Sequence, residues 1–109
     1  MKKFGVLVIM VIALMVLGCI LPPEDGIYSV LYYANAEDVT GFPPVDSNEY
    51  TTGMEATVLG KNTLEKPGYT FQYWNTRSNN TGTSYSSGDI IKINYTSVFL
   101  YAIWAESSD

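Results

Sequence analysis

The sequence predicts a small, mainly β domain, small α+β when its leading apolar helix is counted, with four to five short strands. Three observations predict it. After residue 26 no segment sustains the 3.6-residue apolar spacing of a helix. Short runs rich in β-branched and aromatic residues recur instead, each bounded by Gly, Pro, Asn or Ser. Before them, Phe4 to Leu17 is almost wholly apolar and carries no charge.

The N-terminal segment comes first. Lys2 and Lys3 are a short positive region, the apolar run follows, and Val16-Leu17-Gly18 leads into Cys19, the single cysteine. This is the layout of a secretory signal peptide. It resembles a prokaryotic lipoprotein lipobox, which implies cleavage before Cys19 and a diacylglyceryl group on its thiol. Two acyl chains give stable anchoring where one does not. The competing reading is an uncleaved single transmembrane helix. Phe4 to Leu21 approaches the ~20 apolar residues a span needs, Pro22-Pro23 would stop it, and Lys2 and Lys3 would hold its start inside. Either way the rest of the chain lies outside the cytoplasm, at a membrane.

The segments are therefore residues 1–18 as signal, 19–26 as a lipidated tether, 27–105 as one domain and 106–109 as a tail. Pro22-Pro23 stiffens the tether and Glu24-Asp25 keeps it solvated. Ile27 to Ala34 reads as the first strand. Asn35 to Ser47 is a loop marked by Gly41 and Pro43-Pro44. Glu55 to Leu59 is a second strand. Gly60 to Gly68 is a connector with room for one helical turn around Thr63–Lys66, closed by the turn signal Pro67-Gly68. Tyr69 to Asn75 is the third strand, Arg77 to Gly88 a solvated loop, Ile90 to Asn94 the fourth strand and Val98 to Ala105 the last.

Strand parity raises two points. Val98, Leu100, Ala102 and Trp104 share one face of the last strand, and Phe99, Tyr101 and Ile103 the other. Both faces are apolar. Either the strand is central and covered twice, or one face is a contact surface. In the third strand Phe71 and Tyr73 share a face and Trp74 points opposite. A bulge or a strand end near Trp74 would let both Phe71 and Trp74 reach the core.

The chain also resembles the Listeria–Bacteroides repeat, the family that includes the B-repeat of internalins. The residues that carry this are Pro43-Pro44-Val45-Asp46-Ser47, Thr57-Val58-Leu59-Gly60, Pro67-Gly68-Tyr69-Thr70-Phe71 and Trp74-Asn75-Thr76. Gly82-Thr83-Ser84-Tyr85, Gly88-Asp89 and the closing Leu100-Tyr101-Ala102-x-Trp104 continue the order. The resemblance implies a β-grasp-like fold and a spacer, stalk or contact role on a cell surface, without catalysis. A single unit argues against a stalk built by repetition. Four positions depart from the family pattern. Tyr73 stands where glycine is usual, and Tyr33, Phe99 and Ile103 stand where polar residues are usual. Together they are a candidate partner surface for a surface protein or glycan, since contiguous apolar patches mark interaction sites.

Composition removes several function classes. There is no histidine, so imidazole acid–base and metal roles are excluded. The lone cysteine is at the tether, which leaves no thiol nucleophile or zinc cluster. Loss of Lys2 and Lys3 takes the formal charge from −5 to near −7, with no basic patch for nucleic acid. Neither a metal nor another cofactor is implied. Glu37-Asp38 and Asp46 to Glu49 are hard oxygen donors without EF-hand spacing and read as solvated charge. Asn79-Asn80-Thr81 and Asn94-Tyr95-Thr96 match the glycosylation acceptor pattern, with Asn79 and Asn94 as acceptors. The reading is a lipid-anchored, non-catalytic surface module. The alternatives are a carboxylate-dependent enzyme acting on surface glycan, or a fragment of a larger repeat protein.

Overall fold

The computed structural model describes residues 26–107. The apolar segment predicted as a helix, and Cys19, lie outside the described residues.

Among those described, the chain is mainly β with no helix, and so none long and apolar enough to cross a membrane. Six strands form: β1 (Val30–Tyr33), β2 (Glu55–Thr57), β3 (Tyr69–Asn75), β4 (Ser84–Tyr85), β5 (Ile90–Lys92) and β6 (Val98–Glu106). A four-stranded sheet has the order β1-β6-β3-β4, and β2 pairs with β5 in a second sheet. The first and last strands run parallel, Val30 beside Val98 and Tyr33 beside Tyr101, while β3 runs antiparallel to β6.

The count of four to five strands is corrected to six. The extra strand, β4, sits inside the stretch read as a loop. It is two residues long, paired with Trp74 and Asn75, and too short to show alternation. The predicted first strand shrinks to Val30–Tyr33, because Tyr28 leaves it to bridge Tyr50. The second and fourth strands end at Thr57 and Lys92, the limit of their mutual pairing. The helical turn around Thr63–Lys66 is absent. Glu65 instead exchanges backbone hydrogen bonds with Thr40 at 2.9 Å.

One hydrophobic cluster joins the two sheets. Val30, Tyr32, Trp74, Leu100 and Ala102 come from the large sheet, and Ala56 and Ile91 from the small one. Leu64, from the connector, is fully buried among them, so that loop supplies core rather than mere reach. The β3 bulge is present. Register slips by one residue between Phe71 and Tyr73, and exposed Gln72 takes up the slack. Phe71 and Trp74 then share the inner side, edge to face with centroids 5.0 Å apart.

Two side chains of the large sheet clamp Leu59. Tyr32 Oη accepts from its N–H at 3.0 Å, and Trp74 Nε1 donates to its carbonyl at 2.9 Å. A strand end that leaves its sheet has orphaned backbone groups, and here both are satisfied from the facing layer. Asn75 is the buried polar residue of the core region. Its Oδ1 accepts from the N–H groups of Arg77 and Gly82, and its Nδ2 donates to Ser84 Oγ. That side chain shapes the turn between β3 and β4. A Cβ on Gly82 would lie 2.1 Å from Thr76 Oγ1 and 3.1 Å from Asn75 Oδ1, so glycine is needed for the close approach.

Candidate interaction surface

The last strand is central, between β1 and β3, and its inner residues Leu100 and Ala102 are completely buried. Its other face is not covered by any described element. Phe99 is 43% exposed there, and Tyr33 on the neighbouring strand 40%. Tyr101 and Ile103 are half-buried beside them. The strand is thus central without being covered on both sides.

Register places the four residues singled out by sequence on this one face. Tyr33 lies across from Tyr101, and Tyr73 across from Ile103 on the opposite flank of β6. The Tyr33 ring stacks on Tyr101 with centroids 5.2 Å apart, and on Phe99 at 6.3 Å, with interplanar angles of 21° and 26°. The Tyr33 ring is therefore stacked against both of its neighbours on this face. Leu31, exposed and in register with Phe99, extends the patch. Tyr73 is less free, because its Oη accepts from Asn80 Nδ2 at 3.1 Å.

Sequence reasoning left Leu31 out and named Tyr101 only as a parity partner of Phe99. The missing signal was the parallel β1–β6 pairing, which brings Leu31-x-Tyr33 beside Phe99-x-Tyr101-x-Ile103. Charge is absent from this region. Within the four strands of the large sheet only Glu106, at the extreme end of β6, is ionisable as acid or base at neutral pH.

The remaining candidate residues lie elsewhere. Asn79 and Asn94 are both exposed, in the β3–β4 and β5–β6 turns. Thr81 Oγ1 donates to Asn79 Oδ1 at 2.6 Å. A cleft of about 360 Å³ near the acidic loop is lined by Asp46, Glu49 and Glu55 among others. Asp46 is already committed within its own loop. Its Oδ1 accepts from Asn48 backbone and side chain, and its Oδ2 from Tyr50 Oη at 2.6 Å. Burial, with the Asp46 hydrogen bond second, pushes the Tyr50 hydroxyl up from the ordinary tyrosine value. A carboxylate so occupied organises the loop.

Against known proteins, the profile described as the Listeria-Bacteroides repeat domain matches residues 28–103. A protein of Evansella cellulosilytica named as a membrane protein is 35% identical over 81 residues, which cover 74% of this chain and 12% of that protein. A second from the same organism, named as a Gly-rich membrane protein, is 36% identical over 70 residues, covering 54% of this chain and 8% of its own length. The chain thus spans about a tenth of the length of these relatives. No solved structure matches it.

Proposed function

This chain belongs to the Listeria-Bacteroides repeat domain family, and from that premise we propose that it is a non-catalytic contact module held outside the cytoplasm at a membrane. Its occupant is a surface protein whose own docking patch is apolar and uncharged. The observation that carries this reading is the outer face of the large sheet, where Leu31, Tyr33, Phe99, Tyr101 and Ile103 gather without a charge among them. A partner bearing charge there would lose its hydration without compensation. Ring faces already stacked on one another favour an apolar protein over a sugar on this surface. The names of the Evansella relatives support the membrane location, and residues 1–19 supply a lipidated Cys19 as the anchor. The parallel pairing of the first and last strands supports a β-grasp-like arrangement.

Two experiments test the parts separately. Intact mass of the protein from membranes, beside a Cys19→Ser variant, tests the anchor. A chain starting at Cys19 with added acyl mass, lost in the variant, is expected. A full-length unmodified chain would make residues 4–21 a spanning helix instead. For the surface, a photo-crosslinking residue at Phe99 in intact cells should give one discrete adduct. The same residue at Ile90, exposed on the small sheet, should give none. Phe99→Thr with Ile103→Gln should keep the fold and abolish association. Equal labelling from both positions, or loss of folding in the double variant, would overturn the docking role.

A further inference from the structure

A second surface feature differs in chemistry from the aromatic face. β1 ends at Tyr33, whereas β6 runs on to Glu106. Beyond the end of β1 the edge of β6 borders a cleft of about 390 Å³, within the range of small-ligand sites. Its lining includes Asn35, Ser78, Asn79, Asn80 and Trp104, together with Ile103, which it shares with the aromatic face, and Tyr69, whose ring centroid lies 4.2 Å from the Lys66 ammonium. We propose that this cleft binds a neutral sugar unit of a polysaccharide chain.

Three features support that class of ligand. First, the polar groups are mostly uncharged. The one cation, Lys66, is held 2.7 Å from Asp38 Oδ1, which leaves no net charge to select an anion. Second, the amides are fixed in place before any ligand arrives. Asn35, with a left-handed φ of 56°, donates from Nδ2 to both Ser78 O and Ala102 O. Asn80 Nδ2 is held by Tyr73 Oη, and Asn79 Oδ1 by Thr81. Asn35 Oδ1, Asn80 Oδ1 and Asn79 Nδ2 form no hydrogen bond among the described residues, so two acceptors and one donor group remain for ligand hydroxyls. Third, the Trp104 indole flanks them. Trp104 is anchored by Nε1 donating to Ala34 O at 2.9 Å, and Phe71 braces it edge to face. Fixed amides beside an aromatic wall match a sugar ring, which presents hydroxyls around its rim and C–H groups on its face.

The two tryptophans make the test specific. Trp74 is wholly buried with its Nε1 bonded to Leu59, and Trp104 borders the cleft. The full-length chain in detergent micelles should be titrated with cellotetraose, mannotetraose and the N-acetylglucosamine tetramer, reading the two indole N–H resonances. At least one sugar should move the Trp104 signal saturably in the millimolar range and leave Trp74 in place. Asn79→Ala, whose side chain bonds only to Thr81, should weaken that binding several-fold with the Trp74 signal unchanged. Asn35→Ala should weaken it more than tenfold. No movement with any of the three, stronger binding of a polygalacturonate oligomer, or shifts centred on Tyr33 and Phe99 would overturn the assignment. Because Phe99→Thr lies outside the cleft, it should leave sugar binding intact, which separates failure here from failure of the protein-docking reading.

Discussion

Replacing Asn75 by alanine should show how much one side chain holds the β3–β4 turn. The substitution removes three hydrogen bonds: two accepted from the N–H groups of Arg77 and Gly82, and one donated to Ser84. Arg77 and Gly82 are exposed residues, so water partly replaces the lost acceptor. Taking a net value of about 1 kcal/mol for each bond gives a loss of about 3 kcal/mol. A domain of this size has a total stability on the order of 4–12 kcal/mol. The melting midpoint should therefore fall by about 12–24 °C. Urea unfolding of the full-length protein in nonionic detergent, followed by tryptophan emission, measures the loss. Hydrogen exchange at the Arg77 and Gly82 amides locates it. Asn75→Asp is the control, because a carboxylate still accepts from both amides and the Ser84 hydroxyl can turn to donate. Burying its charge lowers stability as well, but the Arg77 and Gly82 amides should keep their protection from exchange, which alanine removes. A loss below about 0.5 kcal/mol for alanine, typical of an indifferent surface change, would refute the reasoning. So would equal loss of protection at the Arg77 and Gly82 amides in alanine and aspartate.

The other predictions concern backbone space and alkaline pH. Gly41 and Gly53 both have positive φ, but a Cβ on Gly41 would lie 2.0 Å from Thr63 O, whereas one on Gly53 meets nothing within 4 Å. Gly53→Ala should cost about 1 kcal/mol from conformation alone, and Gly41→Ala distinctly more, with loss of the Thr40–Glu65 bridge. Equal urea midpoints for the two variants would contradict this. Burial raises the hydroxyl titrations of both Tyr32 and Tyr50 above the ordinary tyrosine value of about 10. The unfolded chain then loses these protons first as pH rises. Their contribution is fully present below pH 10 and is lost as pH climbs through the raised folded values. Unfolding midpoints should be flat up to about pH 10 and fall beyond it. Tyr32→Phe should cost about 1 kcal/mol at neutral pH, by leaving the Leu59 N–H without its acceptor, and should flatten the alkaline limb. Unchanged alkaline sensitivity in that variant would remove Tyr32 from the explanation.

Much of the fold is legible in local pattern. Tyr69–Asn75 could be bounded by reading alone, because turn residues close both ends of a dense aromatic run. The bulge was legible too. Phe71 and Trp74 are both too apolar to leave outside, and strict alternation cannot bury both. By contrast, β4 was hidden because Ser84-Tyr85 carries no pattern of its own and exists only through pairing with Trp74 and Asn75. The connector hid Leu64, a single apolar residue among polar ones, whose complete burial depends on which elements fold over it.

The candidate surface divides the same way. Tyr33, Tyr73, Phe99 and Ile103 were visible as apolar residues at unexpected positions, but sequence could not place them together. Three strands distant in the chain meet there, and only parallel pairing of β1 with β6 and antiparallel pairing of β3 with β6 bring them to one face. The cleft at Asn35 was invisible, since it arises where β1 stops short of β6 and a turn from residues 78–80 closes over the gap.

The sequence by itself determined the β character of the chain, its aromatic core and the apolar, cysteine-ended N-terminal segment, because these follow from the local order of apolar, turn and charged residues. Tertiary structure alone decided which side of β6 stays open and where polar side chains converge, because both depend on strand order, register and the lengths of strands that meet across more than sixty residues of chain.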